Sequence, residues 1–190
     1  MIFRRVTSVC ATFIAIAGLS LGATSSASAE NGAKRYPAGS GLSEGRAVSP
    51  ADATGWRLQN FNSGQCAVAR GGAESSPVVQ FPCGAYDDQG WTYPHHGGIL
   101  NQIANRNSGK CIVVRGSTWG NKAVQSECNA GYADQIWEAH SFRHTNGETL
   151  WYFLKRGTDL ALTVQGGSAN NQLIQANYGG YADQWWRVAV

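Results

Sequence analysis

One short phrase decides the fold, and it occurs as Asp88-Gln89-Gly90-Trp91, Asp134-Gln135-Ile136-Trp137 and Asp183-Gln184-Trp185-Trp186. The closing tryptophans lie 46 residues apart (91 to 137) and then 49 residues apart (137 to 186). Recurrence at a near-constant period of this length indicates one supersecondary unit that is used three times. The phrase therefore sets the fold, the limits of the domain and the candidate site residues together.

Three further short segments precede the phrase in every repeat, and Gly, Asn or Ser turns separate them. They are residues 56–60, 66–70 and 78–80 in the first repeat, 100–107, 111–115 and 123–125 in the second, and 151–155, 161–165 and 173–175 in the third. None is long enough for a helix, so four short strands are predicted in each repeat and twelve in all. Such units can close into a barrel capped by hairpins, with Trp91, Trp137 and Trp186 in one shared core.

The first 29 residues have the features of a secretory signal peptide. Arg4 and Arg5 form a basic start, residues 9–21 are mostly apolar, and residues 27–29 form an A-x-A cleavage site. This apolar stretch is too short to span a membrane, and no later segment is long and apolar enough. The mature chain is therefore predicted to be secreted and extracellular. Residues 30–55 are rich in Gly, Ser and Pro and are predicted to form a flexible N-terminal arm.

Charge and cysteine content narrow the class of protein further. Removal of the signal peptide leaves a net charge of +1, without the clustered basic stripe of a nucleic-acid-binding protein. Four cysteines remain, and the two within each of the first two repeats are 17 residues apart. In an oxidising compartment this pattern predicts the disulfides Cys66–Cys83 and Cys111–Cys128. A zinc site is the alternative, which the absence of a C-x-x-C motif disfavours.

Together, these features resemble the ricin B-chain type β-trefoil, the Q-x-W lectin family. The features are the three Q-x-W strands, the two cysteine pairs within repeats, and the segment Asn105-Arg106-Asn107-Ser108-Gly109-Lys110-Cys111. The resemblance covers about 56–190 and implies an all-β fold, a β-trefoil of three four-strand repeats at about 56–97, 98–146 and 147–190. It also implies sugar binding in up to three shallow pockets, one per repeat, without catalysis by the domain and without a cofactor.

The sequence departs from this family at the positions that usually contact sugar. Members that bind sugar carry an aspartate two residues after the first cysteine of a repeat, where this chain has Val68, Val113 and Thr163. The family also favours an aromatic platform shortly before the second cysteine, and Phe81 fits that position. Another family contact, often asparagine, precedes the glutamine of Q-x-W, and this chain has aspartate there in every repeat.

A tyrosine lies two residues before each of these aspartates. The phrase Tyr-x-Asp-Gln offers a phenolic donor, an apolar ring and a carboxylate acceptor close together, which is the mixture that neutral sugars require. We therefore predict that carbohydrate recognition has moved to these residues: Tyr86, Asp88 and Gln89; Tyr132, Asp134 and Gln135; Tyr181, Asp183 and Gln184. The alternative is structural, since an aspartate in a turn accepts backbone hydrogen bonds, tyrosines pack between hairpins, and a half-buried glutamine bonds the backbone.

Two tryptophans lie outside this pattern. Trp119 occurs in the loop 117–121, where the other repeats have no aromatic residue, and it is a candidate stacking contact for a sugar or a protein partner. An isolated exposed aromatic is also ordinary. Trp185 should point away from Trp186, because neighbours on a strand alternate, and packing under the N-terminal arm competes with ligand binding as its role.

The polar residues do not predict an enzyme. His95, His96, His140 and His144 have no metal-ligand spacing, and no Ser-His-Asp or Cys-His group is in phase with the repeats. A glycosidase needs two carboxylates in unequal environments, which three equivalent aspartates do not offer. The leading hypothesis is a secreted non-catalytic carbohydrate-binding protein, either multivalent or the targeting subunit of a secreted complex. The alternative is a protein-binding trefoil, an adaptor subunit or protease inhibitor that has lost sugar binding.

Overall fold

The computed structural model describes residues 56–93 and 97–189. The predicted signal peptide (1–29) and N-terminal arm (30–55) lie outside these residues, as do residues 94–96, which include His95 and His96, and residue 190.

Thirteen strands and three short 3₁₀ helices make up the described part of the chain. The strands are β1 (Arg57–Asn60), β2 (Cys66–Ala69), β3 (Val78–Phe81), β4 (Trp91–Thr92), β5 (Leu100–Asn101), β6 (Ala104–Asn105), β7 (Cys111–Val114), β8 (Ala123–Ser126), β9 (Trp137–Arg143), β10 (Thr149–Lys155), β11 (Leu160–Thr163), β12 (Ile174–Asn177) and β13 (Trp186–Ala189). The 3₁₀ helices are Asp87–Gln89, Ala133–Gln135 and Ala182–Gln184.

Two details differ from the sequence prediction. The strand expected at 100–107 is divided into β5 and β6, so thirteen strands are present instead of twelve. The Asp-Gln part of each phrase is a 3₁₀ turn, in which the next N–H, such as that of Gly90, bonds the carbonyl three residues earlier (3.0 Å to Asp87). The strand begins at the tryptophan. Each Tyr-x-Asp-Gln phrase is therefore a turn at the entrance to a barrel strand.

The first and last strands of the three repeats close a barrel, with β5 and β6 together serving as the first strand of repeat 2. Strand β1 pairs with β13, β4 with β6, and β9 with β10, so the last strand of each repeat joins the first strand of the next. Within repeats, β5 pairs with β9, β10 pairs with β13, and a bridge joins Trp56 to Trp91. The hairpins β2–β3, β7–β8 and β11–β12 form the cap. This arrangement confirms the predicted β-trefoil of three repeats.

The core is shared by all three repeats, as predicted. Trp91, Trp137 and Trp186 have no exposed surface and belong to one cluster with side chains from every repeat. Their indole N–H groups make equivalent hydrogen bonds to the carbonyls of Ala67 (3.0 Å), Ile112 (3.3 Å) and Leu162 (3.1 Å), respectively. The three-fold sequence pattern is therefore a three-fold packing pattern.

Each cap hairpin has a loop that lies on the following repeat. The N–H of Ser75 bonds the carbonyl of Gln125, that of Gly120 bonds Gln175, and that of Asn170 bonds Gln80, at 2.8 to 2.9 Å. These three donors all have positive φ, between 63° and 84°. The loops therefore have one conformation and connect repeat 1 to 2, repeat 2 to 3, and repeat 3 to 1.

Both predicted disulfides, Cys66–Cys83 and Cys111–Cys128, are present. Repeat 3 has no cysteine, and Tyr178 occupies the position of the second one. The Tyr178 ring stacks on Tyr152 at 4.3 Å, beside a second buried cluster that contains Leu150, Ala182 and Trp185. Aromatic packing against the long β9–β10 hairpin thus takes the place of a covalent link in this repeat.

Candidate functional site

The side-chain amide of the glutamine in each phrase hydrogen-bonds the backbone just before its own turn. The side chain of Gln89 accepts a hydrogen bond from the N–H of Gly84 (2.8 Å) and donates to the carbonyl of Pro82 (2.9 Å). Gln135 and Gln184 make the same pair of bonds to the corresponding backbone groups. All three glutamines are buried. Because their amides are committed to the backbone, as the structural alternative expected, we leave the glutamines out of the ligand contacts proposed below.

The tyrosines of the first two repeats project into solvent. Tyr86 is 65% exposed and Tyr132 is 59% exposed, whereas Tyr181 is half-buried. The Tyr86 ring lies against Gly84, where an added Cβ would come within 2.4 Å of the ring, and Tyr181 lies in the same way against Gly179. Glycine at these positions therefore permits the ring to rest on the backbone of its own turn.

The three aspartates, which looked equivalent in the sequence, have different environments. Asp88 and Asp134 are half-buried, and no hydrogen bond to either carboxylate is formed within residues 56–93 and 97–189. Their carboxylates are thus not turn caps and are available to a ligand. Asp183 is 8% exposed because its turn is covered by the β9–β10 hairpin, where Ala182 packs against Leu150.

Burial raises the pKa of Asp183 from 3.8 to about 6. Its Oδ1 atom has no hydrogen-bond partner among the described residues, so little compensates for desolvation of the charged form. The folded protein therefore holds this proton more tightly than the unfolded chain does. The contribution of Asp183 to stability is most favourable below pH 4, declines between pH 4 and 6, and is most unfavourable above pH 6.

Asp183→Asn should consequently raise the free energy of unfolding at pH 7 by about 1–3 kcal/mol, because it removes the buried charge. At pH 4 the two proteins should differ much less, since the wild-type carboxyl is then largely protonated. Urea unfolding of both proteins at the two pH values measures this difference. A substitution that destabilises the protein more at pH 7 than at pH 4 would show that the carboxylate is stabilised in the fold.

Repeat 2 has a cavity at the predicted cluster. Its volume is about 440 Å³, and Tyr132, Asp134 and Gln135 line it together. The other lining residues are Arg115, Ser126, Gly131 and Ala133. The structure thus brings one predicted Tyr-x-Asp-Gln cluster into a single concave site between the 3₁₀ turn and the β7–β8 hairpin.

Three polar side chains at this site were not predicted from the sequence. Arg115 and Ser126 line the cavity, and the Arg115 guanidinium lies 3.4 Å from the Ser126 hydroxyl. Glu74 comes from the loop of repeat 1, accepts hydrogen bonds from Ser126 Oγ and the N–H of Glu127, and lies 3.8 Å from Arg115. The Ser126 hydrogen bond is the main cause that lowers the pKa of Glu74. Arg70 occupies the same position in repeat 1 as Arg115 does in repeat 2. An alignment of the repeats could have used this recurrence to predict Arg115 as a site residue.

The family's usual sugar contacts are replaced by a buried apolar surface. Val68, Val113 and Thr163 are each about 1% exposed, on β2, β7 and β11. Phe81, the predicted platform of repeat 1, is half-buried and has the Arg70 guanidinium 4.1 Å from its ring centre. One face of that ring is therefore occupied by a cation.

The remaining candidates fall into two groups. Trp119 is 59% exposed on its loop, as a ligand-contacting residue would be. Trp185 is buried against Phe61, Phe142 and His144, all within the described domain.

No group of three His, Cys, Asp or Glu residues in the described ranges could hold a metal ion. Within the same ranges, no helix has both the length and the apolar character needed to cross a membrane.

A barrel closed by three equivalent hairpins, with a Tyr-x-Asp turn in each repeat, defines a β-trefoil of the Q-x-W type. The model of the ricin-type beta-trefoil lectin domain matches residues 54–186, and the chain belongs to this family. No curated protein sequence matches it at a significant level.

Solved structures share the fold at low sequence identity. The designed three-fold symmetric protein ThreeFoil is 23% identical, with a TM-score of 0.65, over 71% of this chain and 97% of that one. A ricin B-like lectin from Macrolepiota procera, in complex with lactose, is 15% identical, with a TM-score of 0.61, over 75% and 99%. An exo-beta-1,3-galactanase from Clostridium thermocellum is 22% identical, with a TM-score of 0.65, over 75% of this chain but 31% of the enzyme.

Proposed function

We propose that this protein is a secreted, non-catalytic carbohydrate-binding module whose contacts come from the Tyr-x-Asp turns. The observation that carries the proposal is the cavity of about 440 Å³ in repeat 2, which Tyr132 and Asp134 line together. Sugar pockets require concavity, an aromatic surface and a few convergent polar groups, and this cavity combines all three.

The chemistry of each group suits a neutral sugar. The Tyr132 ring is exposed, so it can cover the apolar C–H face of a pyranose, and its phenol can donate or accept. The Asp134 carboxylate, which accepts no hydrogen bond within the described domain, can accept from two adjacent hydroxyls. Arg115, whose guanidinium has five N–H donors, lines the same cavity. Recognition then does not need the family aspartate that Val113 replaces.

Relatives in fold support the class of ligand. One lectin of similar structure is in complex with lactose, and an earthworm R-type lectin (11% identity, TM-score 0.55) is in complex with N-acetylgalactosamine. The partial match to a galactanase supports a role as a targeting module within or beside a larger secreted protein. Several weak sites on one domain would raise avidity for a glycan-bearing surface.

Replacing Asp88, Asp134 and Asp183 together by Ala should abolish glycan binding, because every Tyr-x-Asp turn then loses its carboxylate. The measurement is a glycan array probed with the mature protein and with the triple variant, after circular dichroism has shown that both are folded. Alanine is preferred to asparagine because asparagine at this position is a sugar contact in relatives.

The matched control is Gln59→Ala. Gln59 is a half-buried polar residue on β1 that belongs to none of the three Tyr-x-Asp phrases and donates to the carbonyl of Gly64, so its variant should bind as the wild type does. Undiminished binding by a folded triple variant would refute the assignment of the aspartates. Absence of wild-type binding to every printed glycan would refute the proposed function itself.

Protein binding is the second candidate function, and one observation favours it. Val68, Val113 and Thr163 are buried without a carboxylate, while Tyr86, Tyr132 and Trp119 are exposed large side chains of the kind that protein interfaces favour. An adaptor or protease-inhibitor role predicts a stable complex in culture fluid together with an empty glycan array. The recurrence of Tyr-x-Asp in all three repeats favours the carbohydrate function, because a protein interface has no need of three-fold symmetry.

A further inference from the structure

The outer part of the β9–β10 hairpin, residues 140–150, is a two-stranded ribbon that rests on the barrel through its side chains. Strand β9 pairs with β5 as far as Glu138, and β10 pairs with β13 at Trp151. Beyond these points, the ladder pairs formed within the described part of the chain join the two strands of the ribbon only to each other. Because an isolated two-stranded hairpin is marginally stable in water, the position of the ribbon depends on what its side chains cover.

One face of the ribbon packs on repeat 3. Phe142 and His144 lie against the ring of Trp185, with ring centres 4.9 and 5.7 Å apart, respectively. Leu150 belongs to the same buried cluster as Trp185 and Ala182. Since Ala182 and Trp185 lie on either side of the last two residues of the third Tyr-x-Asp-Gln phrase, the ribbon covers the turn that this phrase forms.

Asp183 lies beneath this cover and is 8% exposed. Its Oδ1 atom has no hydrogen-bond partner among the described residues. A buried carboxylate without a partner is costly, whereas the protonated carboxyl group is tolerated much better. Closure of the ribbon therefore favours the neutral form of Asp183. By linkage, ionisation of Asp183 favours a state in which the ribbon is open and the carboxylate reaches water.

The polar groups around this turn have other partners. Asn60 of β1 and the N–H of Val164 donate to the backbone carbonyl of Asp183, at 2.9 and 3.2 Å. Arg187 of β13 is paired with Glu148 of the ribbon, with 3.0 Å between nitrogen and oxygen. Opening of the ribbon is therefore the route by which the Asp183 carboxylate gains partners, because it admits water.

The titratable aromatic side chains of the same region do not account for an opening at neutral pH. Burial raises the pKa of Tyr152 and raises that of Tyr178 to about 12, so both phenols are neutral up to pH 8. The imidazoles of His140 and His144 gain charge as the pH falls. A charge on the buried His144 would open the ribbon in acidic solution, which is opposite in sign to the effect of Asp183.

We propose that the ribbon is a pH-sensitive cover, closed over the third Tyr-x-Asp turn in acidic solution and opened locally when Asp183 ionises. Burial raises the pKa of Asp183 from 3.8 to about 6, so the open population should rise about fifty-fold between pH 4 and pH 7.5. The consequence for ligands rests on the proposed carbohydrate function. Tyr86 and Tyr132 are exposed in the first two turns, whereas the third turn becomes accessible only in molecules whose ribbon is open. The number of accessible turns then rises with pH.

Amide hydrogen exchange of the mature protein measures the opening without any ligand. The wild type, Asp183→Asn and Asp134→Asn are compared at pH 4 and pH 7.5, and each rate is divided by the intrinsic rate of an unstructured peptide at the same pH. Asp183→Asn keeps the size of the side chain but cannot ionise, and Asp183→Ser is a second variant of this kind. Asp134→Asn is the matched control, because it makes the same change at the equivalent, half-buried position of repeat 2.

We expect protection of the ribbon amides to fall about fifty-fold between pH 4 and pH 7.5 in the wild type and in Asp134→Asn. In Asp183→Asn and Asp183→Ser, protection should change by about three-fold or less. At pH 7.5 the ribbon of the wild type should also be about ten-fold or more less protected than β7, and low concentrations of urea should accelerate exchange on β7 but not on the ribbon. This difference in urea dependence identifies a local opening.

Two results would overturn the cover. One is a loss of ribbon protection with rising pH that persists in Asp183→Asn, since a group other than this carboxyl would then be responsible. The other is equal protection of the ribbon and β7 at pH 7.5, which would mean that the ribbon opens only when the whole domain unfolds. Neither measurement involves a glycan, so failure of the carbohydrate function on the array is distinguishable from failure of the cover.

Discussion

Loss of both disulfides is expected to lower the free energy of unfolding by about 6 kcal/mol, or about 3 kcal/mol for each bridge. Each bridge closes a loop of 17 residues, and opening it returns that conformational freedom to the unfolded chain. Since a domain of this size is typically stable by about 5–15 kcal/mol, the reduced protein should be marginal. Urea unfolding of the oxidised and the reduced protein, followed by tryptophan fluorescence, measures the loss.

Repeat 3 supplies a natural control for this prediction. Its Ala161 occupies the position of Cys66 and Cys111, so alanine is compatible with that buried site. The paired variants Cys66→Ala, Cys83→Ala and Cys111→Ala, Cys128→Ala should each lose about half of the total. If removal of either pair changes the free energy of unfolding by less than about 1 kcal/mol, loop closure is not what stabilises these two repeats.

The fold could be derived from the sequence because its determinants are periodic. Trp91, Trp137 and Trp186 occur once in each repeat, and each cysteine pair lies within one repeat. One alignment of the repeats therefore predicted the architecture, the core and both disulfides. Local strand limits were less accurate. Two-residue strands such as β5 and β6 depend on hydrogen bonds to distant partners, which local composition does not record.

The site could be predicted in part. The sequence brought Tyr132 and Asp134 together because they are two residues apart, and the cavity of repeat 2 has both. The sequence did not predict that Glu74 lies at this site, because the loop of repeat 1 contacts repeat 2 only in the closed barrel. It also made Asp183 equivalent to Asp88. The burial that distinguishes Asp183 comes from the β9–β10 hairpin, whose length affects a turn some thirty residues further along the chain.

Trp137→Ala is expected to lower the free energy of unfolding by about 3–5 kcal/mol. The side chain has no exposed surface, so its removal loses a large buried apolar area and leaves a cavity at the centre of the barrel. The carbonyl of Ile112 also loses the indole N–H that it accepts at 3.3 Å. Trp91→Ala and Trp186→Ala should cost similar amounts, because their packing and hydrogen bonds are equivalent.

The matched comparison lies three residues earlier in the same phrase. Asp134 is partly exposed and bonds no backbone group within the described domain, so Asp134→Ala should change the free energy of unfolding by about 0.5 kcal/mol or less. The cost of Trp137→Ala should also be distributed over the whole barrel. Hydrogen exchange should therefore accelerate on β1 and β13 as much as on β9, because one core serves all three repeats.

Exchange that accelerates in repeat 2 alone would mean that the repeats are independently stable, in conflict with a shared core. If exchange accelerates equally in all three repeats, the tryptophan of each D-Q-x-W phrase serves the shared core. The tryptophan cannot vary in one repeat without cost to the others, which keeps the three copies alike. The exposed loop residues of the cap hairpins lie outside the common core, so these positions are free to differ between repeats. Differences between the surfaces of the three repeats should therefore be sought at Glu74, Trp119 and Ala169, which each precede the loop residue with positive φ.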